Sequence, residues 1–251
     1  MTYYKPDIIV SWPRNCDYPL WRKFIHENRH LFNEVIIVFT ETNQGFDYKQ
    51  FVREQMTPDY CLFIENMTVK ANEDWRDVAV KTALNQSYNS EWIWFTEQDF
   101  VITQPDMFWL AIEEAQEKVD VIYVDDHGRM HPCCIFMKRT TLNQTKRYFG
   151  IEAGIYDHFG QIQRDIEALQ SPKLAIQDYY YHFNGLSHNM SLTERGEAPN
   201  YEPIMFKKYL GDCLYAEKYE GLAIHPHWKS IAEATINAHF PQNSEQSPPL
   251  P

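Results

Sequence analysis

The segment SEWIWFTEQDF, residues 90–100, joins a strongly apolar run to an acidic end. A strand that is buried on both faces of a sheet is commonly apolar throughout, and WIWF at residues 92–95 has that character. Glu97, Gln98 and Asp99 follow the run almost directly. Because ligands of open α/β sheets bind beyond the carboxyl ends of the strands, these residues indicate a binding site at that edge.

Apolar runs alternate with amphipathic segments over the first 140 residues, which predicts an α/β protein with a mostly parallel sheet and helices on both faces. The predicted strands are residues 7–12, 34–40, 60–67, 90–95, 119–126 and 131–139, and the predicted helices are residues 19–32, 46–56, 74–87 and 105–118. Asp74 is the expected N-cap of the third helix, and Pro105 opens the fourth.

The pattern is less regular after residue 150. It predicts a helix at 156–170, a short strand within 174–183, a polar loop at 184–203 and a helix at 204–218. Since no linker rich in Pro or Gly divides the chain, we expect one catalytic domain over residues 1–240. Residues 241–251 contain three prolines and no periodicity, which predicts a disordered tail.

Composition excludes several classes of protein. The apolar runs are shorter than the roughly 20 residues of a membrane helix, and the polar start lacks a secretory signal, so we expect a cytoplasmic protein without membrane contact. Five cysteines without a CxxC pair disfavour zinc and disulfide scaffolds. A formal charge of −12 argues against nonspecific clamping of nucleic acid. GxGxxG, GxxxxGK[ST] and GxSxG motifs are all absent from the sequence.

Glu97 and Asp99 are two residues apart beyond the strand end, where both carboxylates can approach one cation. Carboxylate oxygens suit Mg²⁺ and Mn²⁺ beside substrate phosphates. A solvated turn in which the aspartate caps the next helix explains the same residues equally well.

The segment RDVAVKTALNQSYNSEWIWFTEQDF, residues 76–100, resembles the core of nucleotide-sugar glycosyltransferases of the GT-A fold. The resemblance extends over roughly residues 7–190 and implies a GT-A, Rossmann-like mixed sheet flanked by helices. It implies that Arg76, Glu97 and Asp99 contact the sugar nucleotide, and that Mn²⁺ or Mg²⁺ binds at an Asp-x-Asp motif. Here Glu97 occupies the first position of that motif.

The same resemblance extends to residues elsewhere in the chain. Ser11, Pro13 and Arg14 match the nucleotide contact after the first strand, although Arg14 also suits a surface charge. His182 and His188 match the histidine that joins the metal site. HPHW at 225–228 is a competing pair.

Three aspartates are candidates for the base that deprotonates the acceptor. Asp157 matches the acidic helix start of inverting GT-A enzymes, but an N-cap explains it equally well. Asp125 and Asp126 end a predicted strand, and a turn at Gly128 also accounts for them.

The resemblance implies a glycosyltransferase that moves a sugar from a nucleoside diphosphate sugar, with a UDP-sugar first, to an acceptor hydroxyl. Size and layout resemble the small bacteriophage glycosyltransferases that modify hydroxymethylated pyrimidines in DNA, which would place the protein in the host cytoplasm. KRTTLNQTKR at 138–147 is the best basic stretch for a DNA backbone. A nucleotidyltransferase or pyrophosphorylase acting on sugar phosphates, and a non-catalytic sugar-nucleotide-binding module, are the alternatives.

Overall fold

A computed structural model of the protein describes residues 4–12, 25–39, 61–64, 73–87, 90–97, 100–102, 105–125, 128–151, 158–175, 180–183 and 205–208. Ten strands lie within these ranges: β1 (Asp7–Trp12), β2 (Val35–Phe39), β3 (Cys61–Ile64), β4 (Trp92–Thr96), β5 (Phe100–Ile102), β6 (Val121–Asp125), β7 (Met130–Lys138), β8 (Lys173–Ala175), β9 (Tyr180–Phe183) and β10 (Met205–Lys208). The helices are α1 (Trp75–Leu84), α2 (Pro105–Gln116), α3 (Arg139–Leu142) and α4 (Gly160–Ala168), and a 3₁₀ turn spans Arg29–Leu31. Among the described helices, none has the length and apolar character needed to cross a bilayer.

The main sheet has seven strands in the order β3-β2-β1-β4-β7-β6-β8. Strands β3, β2, β1 and β4 pair in parallel, whereas β7 is antiparallel to both β4 and β6. Strand β6 therefore runs in the same direction as β4, and the carboxyl ends of β1, β4 and β6 lie at one edge of the sheet. The predicted class, a Rossmann-like mixed α/β sheet flanked by helices, is confirmed by this arrangement.

Strand β4 lies in the middle of the sheet, and all five of its residues are buried. The Trp94 ring stacks on Phe136 of β7 with ring centroids 4.9 Å apart and planes 9° from parallel. On the other face, Ala79 and Ala83 of α1 join a cluster with Ile9 and Ile36 of the first two strands. Small residues on the helix let its backbone approach the sheet closely, so α1 packs directly on the strands beside β4.

The second half of the chain differs from the prediction in two places. The apolar segment at 174–183 contains two strands, β8 and β9, which belong to different sheets. The predicted helix at 204–218 is wrong at its start, because β10 is a strand that pairs antiparallel with β5 and parallel with β9. In this three-stranded sheet β10 pairs with β5, about a hundred residues earlier in the sequence, and such pairing overrides the local propensity of a four-residue strand.

Several predicted segments lie outside the described residues: the helix at 46–56, the loop at 184–203 and the tail at 241–251. The single domain over residues 1–240 stays a prediction. Cys133 and Cys134 are buried in β7, as expected for small apolar residues of an internal strand.

Candidate active site at the carboxyl edge of the sheet

A buried ion pair marks the carboxyl end of β4. Glu97, the residue that follows the strand, is 7% exposed, and its Oε1 lies 2.6 Å from Nη1 of Arg76 on α1, which is 9% exposed. The guanidinium also lies over the Trp75 ring, 4.9 Å from its centroid. A buried carboxylate is costly unless an opposite charge compensates it. Arg76 of α1 thus supplies the positive charge that allows the Glu97 carboxylate to be buried at this edge.

Hydrogen bonds fix the backbone that carries Glu97. The Thr96 hydroxyl donates to the carbonyl of Cys133 at 2.9 Å, and the Glu97 N–H points at the same carbonyl at 3.4 Å. Both contacts connect the end of β4 to the neighbouring antiparallel strand. The Glu97 carboxylate is therefore held by both its backbone and its partner arginine.

His131 lies near the start of β7, between the ends of β4 and β6, and sequence reasoning missed it. It is 4% exposed, and its Nδ1 accepts a hydrogen bond from the Cys133 N–H at 3.1 Å. A neutral imidazole that accepts at Nδ1 carries its proton on Nε2, so His131 is a donor at that nitrogen. The signal in the sequence was a histidine at the start of the strand after Gly128. Because β7 is antiparallel to β4 and β6, its start lies at the edge where those two strands end.

Asp125 ends β6 at the same edge, opposite Met130 of β7. Within the described residues, its buried Oδ1 has no hydrogen-bond partner. Burial, followed by the charges of Asp125 and Glu167, raises the pKa of the nearby Tyr123. Two strand spacings separate β4 from β6, or about 10 Å. Asp125 thus lies at the same edge of the sheet as Glu97, two strands away.

Asp74 organises the start of α1, as predicted. Its Oδ1 accepts from the N–H groups of Arg76 and Asp77 at 2.9 and 3.1 Å, and its Oδ2 accepts from the Ile151 N–H at 2.9 Å. Burial alone would raise the pKa of Asp74, but the three backbone hydrogen bonds and the nearby His158 together hold that pKa below its usual value. The cap therefore carries a negative charge at neutral pH.

The segment before α4 packs on this cap. Nε2 of His158 lies 3.8 Å from Oδ2 of Asp74, and its ring meets Trp75 edge-on with centroids 5.5 Å apart. Gly150 also approaches closely: a Cβ there would lie 2.7 Å from Cγ of Asp74. The residue after Asp157 thus lies against the helix that supplies Arg76.

The structure brings three predicted site residues to one edge: Arg76, Glu97 and Asp125. Ser11 and His182 belong to β1 and β9, where only their backbone is described. The remaining predicted residues lie outside the described ranges: Pro13, Arg14, Asp99, Asp126, Asp157 and His188.

The described residues by themselves do not form a metal site. No group of three or more His, Cys, Asp or Glu side chains in the described ranges is arranged to hold a cation. Because Glu97 is paired with Arg76, its charge is already compensated, and a divalent ion at that oxygen would meet the guanidinium. The predicted Mn²⁺ or Mg²⁺ site at Asp99, Glu97, His182 and His188 stays a prediction.

The basic stretch at 138–147 does not line this edge. Lys138 ends β7 opposite Trp92, the first residue of β4, and its Nζ pairs with Asp120 at 2.7 Å. Since β7 is antiparallel, this stretch lies at the amino-terminal ends of β1 and β4, across the sheet from Glu97.

Several solved structures are similar in fold to this chain. The galactosyltransferase LgtC in complex with donor and acceptor sugar analogs aligns with a TM-score of 0.48 and 9% identity, covering 89% of this chain and 99% of that one. TarS 1–349 of S. aureus aligns at 0.48 with 14% identity, over 95% of this chain and 72% of that one. A 4-diphosphocytidyl-2C-methyl-D-erythritol synthase of Anaerococcus prevotii aligns at 0.47 with 11% identity, over 69% and 87%. No protein-family model and no curated protein matches the sequence.

Proposed function

We propose that this protein is a glycosyltransferase that moves a sugar from a nucleoside diphosphate sugar to an acceptor hydroxyl. The observation that carries the proposal is the buried Arg76–Glu97 pair at the carboxyl end of β4. In an open α/β sheet this edge is where ligands bind, and the pair places two compensated buried charges there. Asp99 follows two residues later.

The two charged residues of the pair have different roles in this proposal. Arg76 holds Glu97 in one orientation, and the carboxylate accepts hydrogen bonds from hydroxyl groups of the donor sugar. The Nε of Arg76 is buried and has no hydrogen-bond partner within the described residues. A phosphate oxygen of the sugar nucleotide would accept a hydrogen bond from that N–H group.

The reaction needs a negative charge to be stabilised on the leaving diphosphate. The bond between the anomeric carbon and the diphosphate oxygen breaks, a bond to the acceptor oxygen forms, and the acceptor proton passes to a carboxylate. Asp125 is the described candidate for that base, because its buried Oδ1 has no hydrogen-bond partner in the described part of the chain. Asp157 and Asp126 remain the other candidates.

We also propose that Asp99 binds Mn²⁺ or Mg²⁺, which would supply a positive charge for the diphosphate. Calorimetric titration of the protein with UDP, once in the presence of Mn²⁺ and once in excess EDTA, tests this proposal. We expect binding to weaken in EDTA, and equal affinity would remove the metal from the mechanism.

A matched pair of glutamates that flank β4 tests the site itself. Glu91 precedes the strand and is exposed, whereas Glu97 follows it and is buried. Glu97→Gln should weaken binding of a UDP-sugar, and Glu91→Gln should leave the binding unchanged. Equal affinity in both variants would remove Glu97 from the donor site.

The products of the reaction distinguish glycosyl transfer from the alternatives. A glycosyltransferase releases a nucleoside diphosphate, whereas a nucleotidyltransferase that forms a sugar nucleotide releases pyrophosphate. A non-catalytic module binds the donor and releases neither. Duplex DNA with and without hydroxymethylated pyrimidines, offered as acceptor with labelled donor, tests the predicted DNA acceptor and with it the bacteriophage kind of enzyme.

A further inference from the structure

A cleft lies at the opposite edge of the sheet from Glu97. It encloses about 390 Å³ between the end of α1 and α3, and its polar lining comprises Asn85, Ser87, Arg139, Asn143 and Arg147. No carboxylate is among the lining residues. The chain has a net charge of −12, but this cleft is lined by two arginines and by no acidic residue. The charge of its lining is therefore opposite in sign to that of the chain as a whole.

Arg139 is anchored at the base of this cleft. Its Nη2 donates to the Ser87 hydroxyl at 2.6 Å and its Nε donates to the Ser90 carbonyl at 2.8 Å. Asp7, buried at the start of β1, lies 3.6 Å from Nη2 and accepts from Ser87 at 2.5 Å. These contacts fix one side of the guanidinium, and no described residue accepts a hydrogen bond from Nη1.

Arg147 occupies the rim, where its Nη2 donates to the side-chain oxygen of Asn143. This contact leaves the Asn143 amide N–H₂ group as a donor. Burial lowers the pKa of Arg139, Asp7 raises it, and the positive charge of Arg147 lowers it again. Arg139 and Arg147 both line the cleft, so an anion bound there would be attracted by two positive charges.

We propose that this cleft, formed by Arg139, Arg147, Asn143 and Asn85, binds the phosphate group of a small phosphate monoester. Paired guanidinium groups match phosphate oxygens in geometry and charge, and the amides add neutral donors. The volume accommodates a small organic group beside the phosphate. The cleft lies roughly 15–20 Å from Glu97, the length of β4, so it is separate from the proposed donor site.

Neighbouring cations provide a matched test. Arg147 lines the cleft, whereas Lys146 is exposed, does not line it and contributes the same charge. Binding of inorganic phosphate and of glucose 6-phosphate should be measured by calorimetry at low ionic strength in wild type, Arg147→Gln and Lys146→Gln. We expect saturable binding that Arg147→Gln weakens about tenfold, as for loss of a charge-assisted hydrogen bond. Lys146→Gln should bind as wild type does.

Further measurements separate this site from the active site. Glu97→Gln should leave phosphate binding unchanged, whether or not the glycosyltransferase proposal holds. Thermal unfolding without phosphate shows whether Arg147→Gln and Glu97→Gln are folded at the temperature of the titration, and Asn143→Ala supplies a second variant if Arg147→Gln is not. Absence of saturable binding, equal losses in Arg147→Gln and Lys146→Gln, or loss in Glu97→Gln instead would overturn the proposal. A DNA duplex that displaces phosphate and loses its own binding in Arg147→Gln would overturn it in favour of nucleic acid.

Discussion

The buried Arg76–Glu97 pair predicts a specific pattern of stabilities in a double-mutant cycle. The two side chains are only 11% and 9% exposed, so solvent screens them weakly. Removing one partner leaves an uncompensated buried charge, which costs about 3–5 kcal/mol. Arg76→Met leaves the carboxylate alone, and Glu97→Leu leaves the guanidinium alone. The double variant Arg76→Met/Glu97→Leu removes both charges and should lie within about 2 kcal/mol of wild type, because apolar replacement of a buried pair is often neutral.

Urea unfolding followed by tryptophan fluorescence measures this cycle. Both single variants should shift the midpoint strongly while the slope stays constant, and the double variant should recover most of the loss. Glu114→Gln is the control, since it breaks the exposed Lys118–Glu114 pair and should leave the midpoint unchanged. Single variants as stable as this control, or a double variant whose loss equals the sum of the singles, would refute the account of the pair.

Three further predictions concern the supports of the site. Gly150→Ala should destabilise the protein by about 1–3 kcal/mol in the same assay, because the new Cβ would meet Asp74 at 2.7 Å. Since the folded-state pKa of Asp74 lies below the usual value of an aspartate, the stabilisation by its charged form is fully present above that usual value and is lost as pH falls through the lowered pKa. In Asp74→Asn the free energy of unfolding should therefore fall less steeply with pH in that range than in wild type, whereas Glu91→Gln should behave as wild type does. Burial raises the pKa of Cys134, so iodoacetamide should label neither Cys133 nor Cys134 until urea unfolds the chain; mapping by mass spectrometry would reveal labelling of the native protein.

The strands β1, β2, β4, β6 and β7 of the main sheet could be predicted from the sequence because they are apolar runs bounded by helical or turn segments. SEWIWF predicted a buried strand, and β4 is buried along its whole length. The N-cap at Asp74 could also be predicted from the sequence, since an acceptor side chain just before an amphipathic run can accept hydrogen bonds from the first N–H groups of the helix. Both features depend on neighbours within a few residues, which is the range that periodicity reports.

The second sheet and the ion pair depend on distant residues and were harder to predict. Strand β10 has only four residues, and its partners β5 and β9 are what make it a strand. Arg76 was expected at the donor site, but its pairing with Glu97 follows from how α1 packs on the sheet. His131 was missed because its position between β4 and β6 results from the antiparallel insertion of β7, which the expected parallel pattern did not contain.

Product analysis with purified protein tests the central claim most directly. The protein should be incubated with UDP-sugars, Mn²⁺ and a panel of hydroxyl acceptors, and the release of UDP and of pyrophosphate should be measured separately. The account predicts UDP without pyrophosphate. It also predicts a rate reduced about a hundredfold or more in Asp99→Asn, the scale of losing one electrostatic contact to the transition state, and a smaller loss in Glu97→Gln. Release of pyrophosphate, or normal turnover by Asp99→Asn, would contradict the placement of a glycosyl-transfer site at this edge of the sheet.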